Sequence, residues 1–189
     1  MFLPLLPPEA GVGEGRLGGR ACVRAEVPHR QFVFTIPKRL RIYFRFERRL
    51  LGDLCRAAAR TVITVYRAAS GRPDAVPGMV GAIQTFGQLI HAHPHIHALV
   101  TEGVFLPDGT FLPLPKLATE PFLKLWEQEV FALLLAEGKI TEEVVANIRS
   151  WRHSGLSVHS RSRKPLGALL RVTEQQTQEQ AGALHPAQR

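Results

Sequence analysis

The chain has 189 residues, enough for one domain with a real core and too few for two domains of ordinary size. With 45% hydrophobic and 21% charged residues it reads as globular rather than wholly disordered, and it holds no apolar run long enough to span a bilayer. The net charge of +8 is unevenly spread: 14 basic and 6 acidic residues in 1–76, 5 and 8 in 77–158, and 5 and 2 beyond, so a surface for a polyanion such as nucleic acid is expected in the first part.

Residues 1–28 are rich in Gly and Pro without a hydrophobic period, which predicts loop or disorder. Their apolar start lacks a basic n-region and is broken by prolines, so it does not read as a signal peptide, and the cytoplasm is the default location. Cys22 and Cys55 stand far apart, which offers neither a disulfide framework nor a zinc module of the Cys-x-x-Cys kind. Phe32-Val33-Phe34-Thr35-Ile36, closed by Pro37, predicts a buried strand over His29 to Ile36, where the domain begins. From Glu47 to Ala69 the period is helical: Leu50, Leu51, Leu54, Cys55, Ala58, Val62, Val65 and Tyr66 share one arc. Ser70-Gly71-Arg72-Pro73 ends that helix.

Met79 to Phe86 predicts a second strand and His95 to Phe105 a third, with Pro94 at its entrance. Asp108-Gly109 supplies a hairpin turn returning through Thr110 to Leu114. Thr119 is expected to cap a helix from Glu120 to Glu137, in which Phe122, Leu125, Trp126, Val130, Leu133 and Leu134 repeat at helical spacing and Gly138 gives the stop. Thr141 with Glu142 and Glu143 starts a shorter helix, and Gly155 to His159 reads as a last strand. Residues 160–189 are polar and Gln-rich without a period, a divergent tail expected to be disordered. The sum is an α+β domain over 29–159 with a mainly antiparallel sheet flanked by helices.

Four of the eight histidines stand at 91, 93, 95 and 97. On an extended chain His95 and His97 share one face while Ile96 turns to the other, so two imidazoles are crowded together inside a hydrophobic strand. Such a pair needs a cation, a proton or hydrogen-bond partners, and two neutral imidazoles one strand-step apart suit a divalent metal whose third ligand comes from elsewhere. His91 and His93 read equally well as surface residues on the approach to the strand.

Arg49, Arg56, Arg60 and Arg67 fall opposite the apolar arc of the first long helix, spaced 7, 4 and 7 residues apart. At 1.5 Å per residue they form a stripe about 27 Å long, which suits a phosphate backbone or an ordinary solvated face. Lys38, Arg39 and Arg41 extend the basic region, beside Tyr43 and Phe44, which would stack a base if exposed and otherwise pack inward.

The order of His29-Arg30-Gln31-Phe32-Val33-Phe34-Thr35-Ile36-Pro37-Lys38-Arg39-Leu40, Arg48-Arg49-Leu50-Leu51-Gly52-Asp53-Leu54, Ile83-Gln84-Thr85, His93-Pro94-His95-Ile96-His97, Asp108-Gly109-Thr110-Phe111 and His153-Ser154-Gly155 resembles insertion-sequence transposases of the rolling-circle, tyrosine-nucleophile type in the HUH-endonuclease superfamily. The resemblance covers about two thirds of the chain. It implies a single-strand nickase acting on single-stranded or hairpin DNA at element ends, with a divalent ion, magnesium or manganese, polarising the scissile phosphate while a tyrosine attacks phosphorus. His95 and His97 match the metal-binding motif, and Gln84 on a neighbouring strand is the candidate third ligand. Relatives place a cysteine-rich zinc module before this domain and the catalytic tyrosine downstream of the His-Ser-Gly segment. Here residues 1–28 contain one cysteine, and Tyr43 and Tyr66 are the chain's only tyrosines, both on or near apolar arcs. The expectation is therefore a transposase fragment without its nucleophile, its alternatives being a non-catalytic DNA-binding remnant or a metal-binding protein with no DNA role.

Overall fold

The structure, a computed structural model, describes residues 27–86 and 92–161. The expectations for residues 1–26, for Cys22, for His91 and for residues 162–189 lie outside this range.

The run of aromatic and β-branched residues forms β1, His29–Thr35, whose even positions from Arg30 to Phe34 are buried and whose odd positions are half-buried. The backbone then makes one 3₁₀ turn at Lys38–Leu40 and a short helix α1, Arg41–Phe46, before α2, Arg49–Ser70. The turn and α1 were not expected from the sequence, because six residues are too few to display a helical period. α2 buries the predicted arc through Leu50, Leu54, Ala58, Val62 and Tyr66 and ends at Gly71, whose φ of 66° is the left-handed conformation that glycine reaches without steric cost.

β2, Met79–Phe86, and β3, Ala92–Thr101, complete the middle of a four-stranded antiparallel sheet of order β2-β3-β1-β6, with β6 at Ser157–Arg161. The last strand thus runs to Arg161, two residues beyond the predicted end. Pro94 sits inside β3 rather than at its entrance. Its missing N–H is tolerated because the ladder to β1 stops at the Thr35–His95 pair and the register to β2 shifts between Gln84 and Phe86.

The strand predicted from His95 to Phe105 is split at Glu102 into β3 and β4, Gly103–Phe105, which pairs with β5, Phe111–Pro113, in a separate two-stranded sheet. The break is held by Thr101, whose hydroxyl donates to the Gly103 carbonyl at 2.8 Å and accepts from the Gly78 N–H at 3.0 Å. Gly103 permits the hairpin's close approach: a Cβ there would lie 2.3 Å from the Leu112 carbonyl oxygen and 2.5 Å from the Phe111 ring. At the turn, Asp108 accepts the Thr110 N–H at 2.9 Å.

Two helices follow, α3 at Glu120–Ala136 and α4 at Glu142–Arg149. Thr119 does not make the expected side-chain cap; its carbonyl oxygen accepts the Leu123 N–H instead, as that of Thr141 accepts the Val145 N–H at the start of α4. α2 and α3 pack together over one face of the sheet, where Phe32, Phe34, Ile96, Ala98 and Val100 meet Leu54, Val62, Phe122, Trp126 and Val130. Each fully buried large apolar side chain contributes about 1.5–3 kcal/mol, so this one cluster carries most of the fold's driving force. Trp126 also donates its indole N–H to the Thr35 carbonyl at 2.8 Å, fixing α3 to the end of β1. The architecture is α+β with a mainly antiparallel sheet, as predicted. Among the described residues no helix is long and apolar enough to cross a membrane.

Candidate functional site

Because the helices take the face that carries Ile96, strand alternation sends His93, His95 and His97 to the opposite face of β3. The three rings form a column, with centroids 5.1 Å apart from His93 to His95 and 4.9 Å from His95 to His97. Directly paired residues share a face, so the register places Gln84, His95, Thr35 and Ser157 in one row across the four strands. The next row holds Ala82, His97, Val33 and His159, and the one after it Val80, Leu99, Gln31 and Arg161. In the first row the Thr35 and Ser157 hydroxyls are hydrogen-bonded at 2.6 Å.

His95 Nδ1 lies 2.7 Å from the His93 carbonyl oxygen. A carbonyl only accepts, so Nδ1 carries the proton and the lone pair of the neutral ring is on Nε2, which stands 2.9 Å from Gln84 Oε1. Two lone pairs at that separation repel unless a positive charge lies between them or the amide presents its NH2 group. A backbone carbonyl holding Nδ1–H is also the usual support of a metal-ligating histidine.

His97 is the more telling ring. Its Nδ1 is 3.0 Å from the Gln31 side-chain nitrogen, and its Nε2 is buried without a hydrogen-bond partner among the described residues. If Gln31 donates to Nδ1, a buried Nε2–H is left stranded at a cost of about 1–3 kcal/mol. If the amide turns and accepts from Nδ1–H, the lone pair is left on Nε2. Burial, aided by the charges of His95 and Arg161, pushes the His97 pKa down to about 4, so the ring is neutral at pH 7. His93 is also lowered, by burial, then by Arg41 and His95.

An orphaned, neutral imidazole nitrogen next to a second ring with a lone pair fits a divalent cation. Among the described residues no three His, Cys, Asp or Glu side chains converge as a metal site, so the candidate set is His95, His97 and the Gln84 amide oxygen. Gln31, which orients His97, was not singled out from the sequence, because its partner depends on β1 lying beside β3.

The expected DNA-contacting residues fall into two groups. On α2 every arginine of the stripe has a partner: Arg49 donates to Glu137 at 2.5 Å, Arg56 to Asp53 at 2.5 Å, Arg60 to Glu129 at 2.8 Å and Arg67 to the Ala75 carbonyl at 2.9 Å. Two of these carboxylates come from α3 and the residue that caps its C-terminus, which the sequence pattern along α2 does not reveal. On the 3₁₀ turn, Arg39 donates to Asn147 at 3.3 Å and lies over the Trp151 ring, whereas the exposed Lys38 makes no side-chain hydrogen bond or ion pair among the described residues. Phe44 is buried and Tyr43 half-buried, both packed inward. Tyr66 is 3% exposed, packed edge-on to Phe122, its phenol pushed by burial to about 12.

Residues 78–160 match a family model, Y2_Tnp, described as "Putative transposase". The matched segment contains Gln84, His95 and His97 and runs from the start of β2 into β6. The chain is similar to the "Transposase for insertion sequence element IS801" of Pseudomonas savastanoi pv. phaseolicola, 37% identical over 86 residues that make up 46% of this chain and 20% of that protein. It is likewise similar to the "Putative transposase y4qJ" of Sinorhizobium fredii (strain NBRC 101917 / NGR234), 38% identical over 92 residues, 46% of this chain and 23% of that one. The match therefore spans about a fifth of the length of these curated relatives. No solved structure matches the chain.

Proposed function

We propose that this domain is the metal- and phosphate-binding part of an insertion-sequence transposase of the HUH, rolling-circle type, and that it binds single-stranded or hairpin DNA across the histidine face of its sheet. The observation that carries the reading is the buried, partnerless Nε2 of His97 beside His95, inside the segment that matches transposases. A divalent ion, magnesium or manganese, bound by His95 and His97 with Gln84 would polarise a phosphodiester for nicking. The chain's own contribution is to keep His97 neutral through burial and to orient both imidazoles, His97 through Gln31 and His95 through the carbonyl of His93. The arginines of α2 meet phosphate only by exchanging protein partners for it, so Lys38 and the other unpartnered cations supply most of the electrostatic attraction.

Neither tyrosine belongs to the sheet, and Tyr66 is sealed in the core. That favours, for this chain alone, DNA binding without strand transfer. The reading is tested by titrating labelled single-stranded DNA with and without manganese. Wild type should bind more tightly with the metal, and His95→Ala with His97→Ala together should abolish that gain while leaving metal-free binding in place. An unchanged manganese response in the double variant would remove the site.

A further inference from the structure

Among the described residues two aromatic rings are exposed beside cations, Trp151 under Arg39 and, more fully, Phe46 on α1. On α1, Phe46 is 75% and Ile42 53% exposed, one helical turn apart on the same side, while Phe44 on the opposite side is buried in the core. Residues 38–49 contain Lys38, Arg39, Arg41, Arg45, Arg48 and Arg49 against a single acid, Glu47, and that carboxylate is engaged by Arg49 and Lys139. Lys38, Arg45 and Arg48 form no side-chain hydrogen bond or ion pair among the described residues. Arg45 instead holds its guanidinium 5.8 Å from the centre of the Phe46 ring. α1 packs beside β3, and Arg41, whose Nε donates to the Ile36 carbonyl at 3.3 Å, is close enough for its charge to act on His93. The patch therefore borders the first ring of the histidine column.

We propose that α1 is a base-stacking subsite for single-stranded DNA, in which one nucleobase lies on Phe46 against Ile42 while Lys38, Arg45 and Arg48 hold the flanking phosphates. An exposed phenyl ring is costly in water and is matched by a flat π-face of any base, and Arg45 over the ring adds a cation to the stack. Duplex DNA hides its base faces, so the subsite selects an unpaired strand. Charge complementarity favours this occupant over a second copy of the chain, which would bring its own Lys38, Arg45 and Arg48 against the patch. The proposal rests on the DNA reading above and adds to it where the strand leaves the histidine face.

The test uses the whole chain and two labelled probes, an oligothymidylate and an abasic strand of equal length, with binding followed by fluorescence anisotropy over a salt series. Phe46→Ala should weaken oligothymidylate binding at least about 5-fold and leave the abasic strand unaffected, and Phe46→Trp should restore or exceed wild-type binding. Arg48→Ala should lower affinity for both probes and reduce the salt slope by about 0.7. Equal effects of Phe46→Ala on both probes, or none on either, would overturn the subsite while leaving the DNA reading intact. Failure of the wild-type chain to bind either probe would overturn both. A Phe46→Ala variant whose only change is loss of concentration-dependent dimers in light scattering would assign the patch to self-association instead.

Discussion

Gln31 decides which nitrogen of His97 is available. Its amide is 3.0 Å from Nδ1, and it serves a metal-binding ring only when its oxygen accepts Nδ1–H and leaves the lone pair on Nε2. Alanine at this position removes that constraint and lets the ring rotate or adopt the other tautomer. Gln31→Ala should therefore weaken manganese binding about 10- to 100-fold, the range typical for partners of metal ligands, as read by electron paramagnetic resonance of the free ion. Gln31→Glu, a pure acceptor when ionised, should keep or tighten it. Equal affinity in wild type and Gln31→Ala would mean that His97 is not a ligand through Nε2.

At the scale of elements, the split between β3 and the β4–β5 hairpin depends on a residue with no side chain. Gly103→Ala drives a methyl into the Leu112 carbonyl and the Phe111 ring, both rigidly placed in the paired strand, so the hairpin must shift. The expected cost is about 1–3 kcal/mol, measured as a lower urea midpoint with an unchanged slope; a loss below about 0.5 kcal/mol would show that the hairpin moves freely. The same region marks where sequence reading stopped. α2 and α3 were legible because their apolar residues repeat at the helical period over several turns, and β1 because a run of aromatic and β-branched residues ends at Pro37. The kink at Glu102 was not, since Val104 and Phe105 continue an apolar run and the break is made by the Thr101 hydroxyl, a tertiary contact. For the same reason His95 and His97 could be placed on one face from alternation alone, and Gln84 was nominated on a neighbouring strand. The arginine stripe was read correctly as a face of α2, yet its occupation by Glu129 and Glu137 depends on how α3 lies against it. Exposed pairs of this kind are worth only about 0.2–1 kcal/mol each, so they fix charge more than stability.

Across the whole molecule the fold divides labour between two faces of one sheet. The helical layer buries Phe32, Phe34, Phe122, Trp126 and Tyr66, while the rows of the histidine face hold imidazoles, amides, hydroxyls, aliphatic side chains and Arg161 but no phenol. A phenol attacks phosphorus as the phenolate, and Tyr66 holds its proton up to about 12 because burial disfavours the charged form. Releasing it would mean opening the core where Tyr66 meets Phe122, at the scale of unfolding the domain. Tyr43 is half-buried on α1 and packed against the core. Incubating the chain with labelled single-stranded DNA and manganese should therefore give a complex that dissociates completely on a denaturing gel, with no covalent protein–DNA adduct. A covalent adduct lost in Tyr43→Phe would locate the nucleophile on α1, beside β3, and would turn this domain from a binding scaffold into a complete nickase. The charge asymmetry of the chain fits the first outcome: Lys38, Arg45 and Arg48, without side-chain hydrogen bonds or ion pairs among the described residues, lie along the 3₁₀ turn, α1 and the start of α2, where they would attract a strand but offer no nucleophile to retain it.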